Sequence, residues 1–261
     1  VHRHGTVRIW DPRTGQERAD YIAVTKGTRT YPWRIIGIAE KDGLLVSGFR
    51  VRDGHHPETG SKALNFYEAT EVSCNIWYAL AGLRTGGDQL ATMAGRLGFG
   101  ETIPFDLPLG RSQLTNGGGN FGGGLADAVE LANASYGQAE TVVTPMQMAL
   151  VAATVANRGS LMEPHIVTAF SGKKSGTRSV QPVQWRQIVS PQVADEIRQA
   201  MQRAVEGSLG RRFTSGAKIP GVPTAGKSGT AELGGKGEPN SWFIGFAPAD
   251  DPEIVVPDVV A

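Results

Sequence analysis

The chain has 261 residues, long enough to bury a full core as one large domain or two small ones. Lys and Arg number 26 against 25 Asp and Glu, and a net charge of +1 excludes bulk attraction to nucleic acid or to an anionic membrane surface. A single cysteine, Cys74, excludes an internal disulfide, and no apolar run is long enough for a transmembrane helix.

In chain order, residues 6–10 read as a strand, and Asp11, Pro12 and Gly15 mark a turn after it. Between 16 and 48 no period holds, and 52–62 is a polar loop. A helix is predicted over 65–83. Asn65 caps it, Glu68 completes a capping box, and Phe66, Ala69, Val72, Ile76, Leu80 and Leu83 recur at helical spacing. That helix contains Ser73, Cys74 and Asn75. A second helix spans 87–97, with Gly98 as its stop. Residues 100–131 form a long Gly-rich irregular stretch, of the kind that is usually functional.

Thr144 caps a third helix, with Pro145 in its first turn, Gln147 closing the box, and Asn157 and Gly159 ending it. Ser190-Pro191 opens a fourth, with Val193, Ile197, Met201 and Val205 on one face and Gly207 at its end. Strands follow over 224–233, 241–247 and 253–256, the first two joined as a hairpin through 234–240. Pro257 should break the last strand, because it donates no ladder hydrogen bond. The order predicts an α+β fold, an antiparallel sheet flanked by helices. Residues 1–261 read as a single partial domain in which 16–48 fits poorly. The start at Val1 and the end inside the apolar run 254–261 both look cut.

Lys227 admits two readings. Gly221-Val222-Pro223-Thr224-Ala225-Gly226-Lys227-Ser228 matches the phosphate-loop pattern GxxxxGK[ST] in full. That pattern needs a buried strand before it and a helix after it, whose N-terminal amides hold phosphate. Here Thr214 to Pro220 is no buried strand, and Gly229, Gly234 and Gly235 argue against a helix. The other reading places Lys227, Ser228, Gly229 and Thr230 on an exposed strand edge. A cation and two hydroxyls there suit a carboxylate, and the glycine admits a close substrate backbone. The plain alternative is a surface hairpin with a solvated lysine.

Ser73-Cys74-Asn75 adds weight to the edge reading. It fits SxN, the second motif of acyl transferases that use SxxK, SxN and K[TS]G. The hydroxyl serves proton transfer and the amide holds an acyl side chain.

With these motifs the chain resembles the penicillin-binding proteins, most of all the monofunctional transpeptidases. The resemblance runs over about 65–247, plus the N-terminal piece 5–15. Ala69 to Asn75 resembles the family's SxN helix. Gly137-Gln138, Thr144-Pro145 and Ala156-Asn157 with Gly159 resemble its GQ…TP…AN-G segment. Ala225 to Glu232 resembles its third motif and Ser241 to Pro248 the strand after it.

The resemblance implies acyl transfer from D-Ala-D-Ala stem peptides, crosslinking peptidoglycan outside the cytoplasmic membrane, with β-lactams acylating the same site. It implies no cofactor and no metal. Ser73 relays a proton, Asn75 holds the donor's amide and Lys227 supplies positive potential. Ser228 and Thr230 bind the terminal carboxylate beside Gly229, and the Thr230 N–H is an oxyanion donor. Partners would be stem peptides, β-lactams and other cell-wall synthesis proteins, with no nucleic acid. Membrane attachment would come only through an N-terminal anchor outside this chain.

One departure from the family pattern matters. The nucleophile belongs after a Tyr-Pro, as PGSxxK, but Tyr31-Pro32 is followed by Trp33-Arg34-Ile35-Ile36. The two SxxK strings, at Ser171/Lys174 and Ser215/Lys218, lie after SxN in Gly-rich loops and read as chance matches. The expectation is therefore a transpeptidase domain that forms no acyl-enzyme. Its alternatives are a non-catalytic peptidoglycan-binding or scaffold domain and, last, a nucleotide binder. His2, His4, His55, His56 and His165 show no metal-ligand spacing, and Trp77, Trp185 and Trp242 read as packing residues.

Overall fold

The computed structural model describes residues 43–53, 64–115, 123–172, 176–209, 215–233 and 237–260. The strand expected at 6–10, the turn at 11–15, the Tyr31-Pro32 region and all of the polar loop beyond Asp53 lie outside them.

The first element is a hairpin of β1 (Leu44–Val46) and β2 (Phe49–Val51), with Leu44 opposite Val51. It begins inside the stretch where no period was legible, because strands of three residues are too short to display one. Leu44, Val46 and Val51 are nonetheless buried in one core with Ala69, Val72, Ile76 and Trp77.

The capping box at Asn65 is present in both directions. The Glu68 N–H donates to Asn65 Oδ1 and the Asn65 N–H to Glu68 Oε2, each at 3.0 Å. The helix it starts, α1 (Phe66–Val72), is shorter than predicted. Ser73 adopts the left-handed conformation, φ 58° and ψ 47°, and α2 (Asn75–Thr85) starts afresh behind it. The single helix over 65–83 is thus two. Apolar residues of both helices enter the same core, so the hydrophobic period runs across the break and hides it.

Next comes α3 (Gly87–Arg96), followed by Gly98 at φ 93°. The irregular stretch ends earlier than predicted. A 3-10 turn (Gly123–Ala126) leads into α4 (Ala128–Ala134), and Asp127 caps α4 by accepting from the N–H groups of Val129 and Glu130. In α5 (Pro145–Ala156), Thr144 caps as expected, accepting from the Gln147 N–H at 3.1 Å. Gln147 does not close the box. Its buried side chain donates to the Leu97 carbonyl at 2.8 Å and ties α5 to the end of α3.

Ser190 caps α6 (Pro191–Glu206). Met201 and Val205 are buried on it, as is Ala194, but Val193, expected on the same face, is 45% exposed.

Short antiparallel pairs join β3 (Ser160–Met162) to β6 (Gln184–Gln187), and β4 (Ala169–Gly172) to β5 (Gly176–Ser179). The principal sheet has three antiparallel strands in the order β7 (Ala225–Ala231), β8 (Asn240–Ala247) and β9 (Ile254–Val260). Contrary to expectation, β9 runs straight through Pro257, which lies opposite Ile244. β9 pairs only with β8 among the described residues, and on an edge strand every second N–H faces away from the partner, so a proline can be accommodated.

Helix α6 packs on β7 and also on α1, while α5 packs on β8 and β9. Met201, Ala225, Phe246 and Ala249 form the buried contact between helices and sheet. On the other face the Phe243 ring lies over Gly226 and Gly245. A Cβ at those glycines would come within 2.4 Å and 2.7 Å of the ring. Helices packed on an antiparallel sheet are the α+β architecture expected from the sequence, and α6 carries β7 against the end of α1.

Candidate active site

The break between α1 and α2 puts Ser73 in a turn. Its left-handed backbone is a conformation that residues other than glycine, asparagine and aspartate rarely adopt. Several contacts hold the turn there. The Ser73 N–H bonds to Thr70 O at 3.3 Å and the Cys74 N–H to Ala69 O at 2.9 Å, closing α1. Cys74 Sγ accepts from the Trp77 N–H at 3.3 Å, opening α2. Asp53, just past β2, accepts from the Ile76 N–H at 3.0 Å and from Cys74 Sγ at 3.1 Å. Asn75 Nδ2 donates to the Arg52 carbonyl at 3.0 Å. The first hairpin is thus tied to the SxN turn.

Burial, with the Asp53 carboxylate beside it, pushes the Cys74 thiol far above its ordinary range. A thiol held protonated has little thiolate character.

Lys227 comes from the middle of β7. Its Nζ donates to Ser73 Oγ at 2.9 Å and to the Ser228 carbonyl at 2.6 Å. The side chain is half-buried, and desolvation of its amine lowers its pKa to about 8. A neutral amine keeps enough N–H donors for both bonds. Lys227 is therefore available in either protonation state near neutral pH, in contact with a hydroxyl. Because β7 continues as a strand through Ala231, no helix N-terminus follows Lys227, and the phosphate-loop reading fails on geometry.

β7 pairs with β8 alone among the described residues, and no described strand covers its other edge. In an antiparallel strand the N–H and C=O of one residue point the same way, and those of the next residue the opposite way. The Ser228 carbonyl takes the Lys227 amine and the Thr230 carbonyl takes the Gln138 carboxamide, at 2.9 Å. Both carbonyls therefore face the free edge. Ser228 is half-buried, whereas Gly229 and Thr230 are exposed. A Cβ on Gly229 would lie 3.4 Å from Trp242 Cβ, against the neighbouring strand.

The structure brings together Ser73, Lys227, Ser228 and Thr230, and holds Asn75 at the start of α2. Neither stray SxxK string resembles a helical pair. Ser171 lies on the exposed hairpin strand β4, and Ser215 begins a 3-10 turn (Ser215–Ala217). Among the described residues no group of His, Cys, Asp and Glu could hold a metal ion.

Two residues at the site carry no sequence-based expectation of a role, Asp53 and Gln138. Asp53 has no motif around it. Gln138 stands within the Gly137-Gln138 pair, and that pair was the available signal.

An SxN turn facing a Lys-Ser-Gly strand edge is the arrangement of serine acyl transferases that use those two motifs. The chain belongs to the penicillin-binding protein transpeptidase family, whose model, described as the penicillin binding protein transpeptidase domain, matches residues 39–261. It is 38% identical over 197 residues to the peptidoglycan D,D-transpeptidase PbpA of Mycolicibacterium smegmatis, covering 74% of this chain and 38% of that protein. To PbpA of Mycobacterium tuberculosis it is 35% identical over 207 residues, covering 78% of this chain and 40% of that protein. The imipenem acyl-enzyme complex of penicillin-binding protein A from M. tuberculosis is similar in structure, with TM-score 0.72 and 30% identity over 85% of this chain and 49% of that one. The chain thus spans about two fifths of the length of the PbpA proteins it matches.

Proposed function

We propose that this domain is the stem-peptide and β-lactam recognition unit of a penicillin-binding peptidoglycan D,D-transpeptidase, and that the chain as it stands forms no acyl-enzyme. One observation carries the reading: Lys227 Nζ meets Ser73 Oγ at 2.9 Å beside a strand edge that no described strand covers.

An extended peptide ending in D-Ala-D-Ala adds to the β7 edge, its backbone pairing with the strand. Ser228 and Thr230 hydroxyls bind its terminal carboxylate on either side of Gly229. Lys227 supplies positive potential beside Ser73 Oγ, and a proton relay through Ser73 to a leaving amine would operate only with a nucleophile in place. Asn75, anchored through its Nδ2, offers its carboxamide to the acyl side chain. The outward N–H of Thr230 faces the position of a developing oxyanion. Acyl transfer further requires a nucleophilic serine, which the family places where this chain reads Trp33-Arg34-Ile35-Ile36. With no such serine, binding is non-covalent and the domain acts as a peptidoglycan-recognising scaffold. In the parent protein it would work outside the cytoplasmic membrane beside other cell-wall synthesis proteins, held by an N-terminal anchor.

A fluorescent penicillin, added in excess and followed by denaturing electrophoresis, tests the covalent part. No band is expected, and a stable band would show that a nucleophile exists. Titration of the folded chain with diacetyl-Lys-D-Ala-D-Ala tests recognition. Saturable binding lost in Lys227→Met is the expected result, and no binding at millimolar ligand would reject the reading.

A further inference from the structure

Gln138 leaves α4 through a turn with a tightly defined backbone. The N–H groups of Tyr136 and Gln138 both bond to Asn133 O, at 3.2 and 3.0 Å, and that of Gly137 to Ala134 O at 3.1 Å. Gly137 and Ala139, on either side of Gln138, have positive φ, 84° and 62°. The Tyr136 hydroxyl bonds to Asn133 Oδ1, and its ring packs on the core that holds Val72 and Cys74. Burial raises the Tyr136 pKa, and the Glu232 and Asp53 carboxylates add to that rise. The turn therefore spans from the SxN side to the β7 side, and it carries the Gln138 side chain to the Thr230 carbonyl.

That contact has an unusual consequence for strand addition. Of the outward carbonyls of this edge, Ser228 is taken by Lys227, which also holds Ser73, and Thr230 is taken by Gln138. The Lys227 bond belongs to the buried part of the site. The Gln138 bond is solvent-exposed and made by a flexible side chain, so it can be exchanged. Its donor is a carboxamide N–H, the same chemical group that an added peptide strand presents.

We propose that Gln138 is a built-in competitor at the groove: its carboxamide stands in for a ligand amide at the Thr230 carbonyl, and an extended ligand must displace it to pair there. This rests on the reading of the β7 edge as a peptide groove. A ligand with that N–H exchanges one hydrogen bond for another and gains only its remaining contacts. A ligand without it either leaves Gln138 in place or strands the carbonyl. Gln138 thus lowers the affinity of every extended ligand that pairs at this carbonyl.

The test uses the full chain and diacetyl-Lys-D-Ala-D-Ala. Binding is measured by calorimetry for wild type, Gln138→Ala and Gln138→Met, the last keeping the bulk without the donor. Both variants are expected to bind about threefold to tenfold more tightly, the worth of one competing hydrogen bond. In wild type, the Gln138 side-chain NH2 resonances should move with ligand, following the same isotherm. Unchanged or weaker binding in both variants overturns the proposal while leaving the groove reading intact. Tighter binding in Gln138→Ala alone also overturns it, since bulk and not the donor would then be responsible. If wild type and both variants retain wild-type thermal stability and none binds, the groove reading itself is wrong and the proposal falls with it.

Discussion

Lys227 and Ser73 stand 154 positions apart in the chain and 2.9 Å apart at Nζ and Oγ. Each is prepared by a different device. Ser73 is turned out by a left-handed residue between two helices, and Lys227 is delivered by a strand whose one side is packed by α6. Because β7 and α1 both pack on α6, that helix sets the distance between the motifs.

The buried lysine should leave a signature in the pH dependence of stability. Its folded pKa, about 8, lies below its ordinary 10.5. Between those values the unfolded chain holds the proton more firmly, so stability rises with pH across that window. Below pH 8 the full penalty of burying the cation is present. Replacing Lys227 with Met removes it. The stability of Lys227→Met relative to wild type, from urea unfolding, should fall by on the order of 3 kcal/mol as pH rises through the window. A pH-independent difference would show that the amine titrates normally.

Ser73 performs separable backbone and side-chain roles. Ser73→Gly suits φ 58° and should keep or slightly raise the thermal midpoint while removing the hydroxyl. Ser73→Val lacks the hydroxyl and also resists the left-handed conformation, so it should lose about 1–2 kcal/mol of stability besides. Equal stability of the Gly and Val variants would mean that the turn relaxes.

The junction of α1 with α6 depends on a glycine. Glu71, 2% exposed and two residues before Ser73, accepts from the Leu209 N–H at 2.6 Å and pairs with Arg203 at 3.3 Å. A Cβ on Gly207 would lie 2.2 Å from Glu71 Oε1. Gly207→Ala should therefore destabilise the fold by about 2–3 kcal/mol, by forcing a buried carboxylate from its partners. Chemical denaturation measures it, and a loss under 0.5 kcal/mol, the ordinary surface range, would show that the junction yields freely.

What could be read without a structure was local. Asn65 with Glu68, Thr144 with Pro145, and Ser190 with Pro191 act within one helical turn, so residue identity and spacing suffice to place helix starts. Gly226-Lys227-Ser228-Gly229 announced a motif, and Ser73-Cys74-Asn75 chose between its two readings. The Ser73 break was not legible, since apolar residues on both sides of it feed one core and preserve the helical period. Gln147 looked like a box-closing residue because sequence cannot show that Leu97 O lies within reach.

The identities of the motif residues and most helix caps were determined by the sequence alone, because they depend on neighbours within a few positions. The tertiary structure decided the distance from Lys227 to Ser73, the burial that lowers the lysine's pKa, the tolerance of Pro257 at an edge and the reach of Gln138 to Thr230. Each of these depends on which distant segments exclude water or offer a partner, and packing alone determines that.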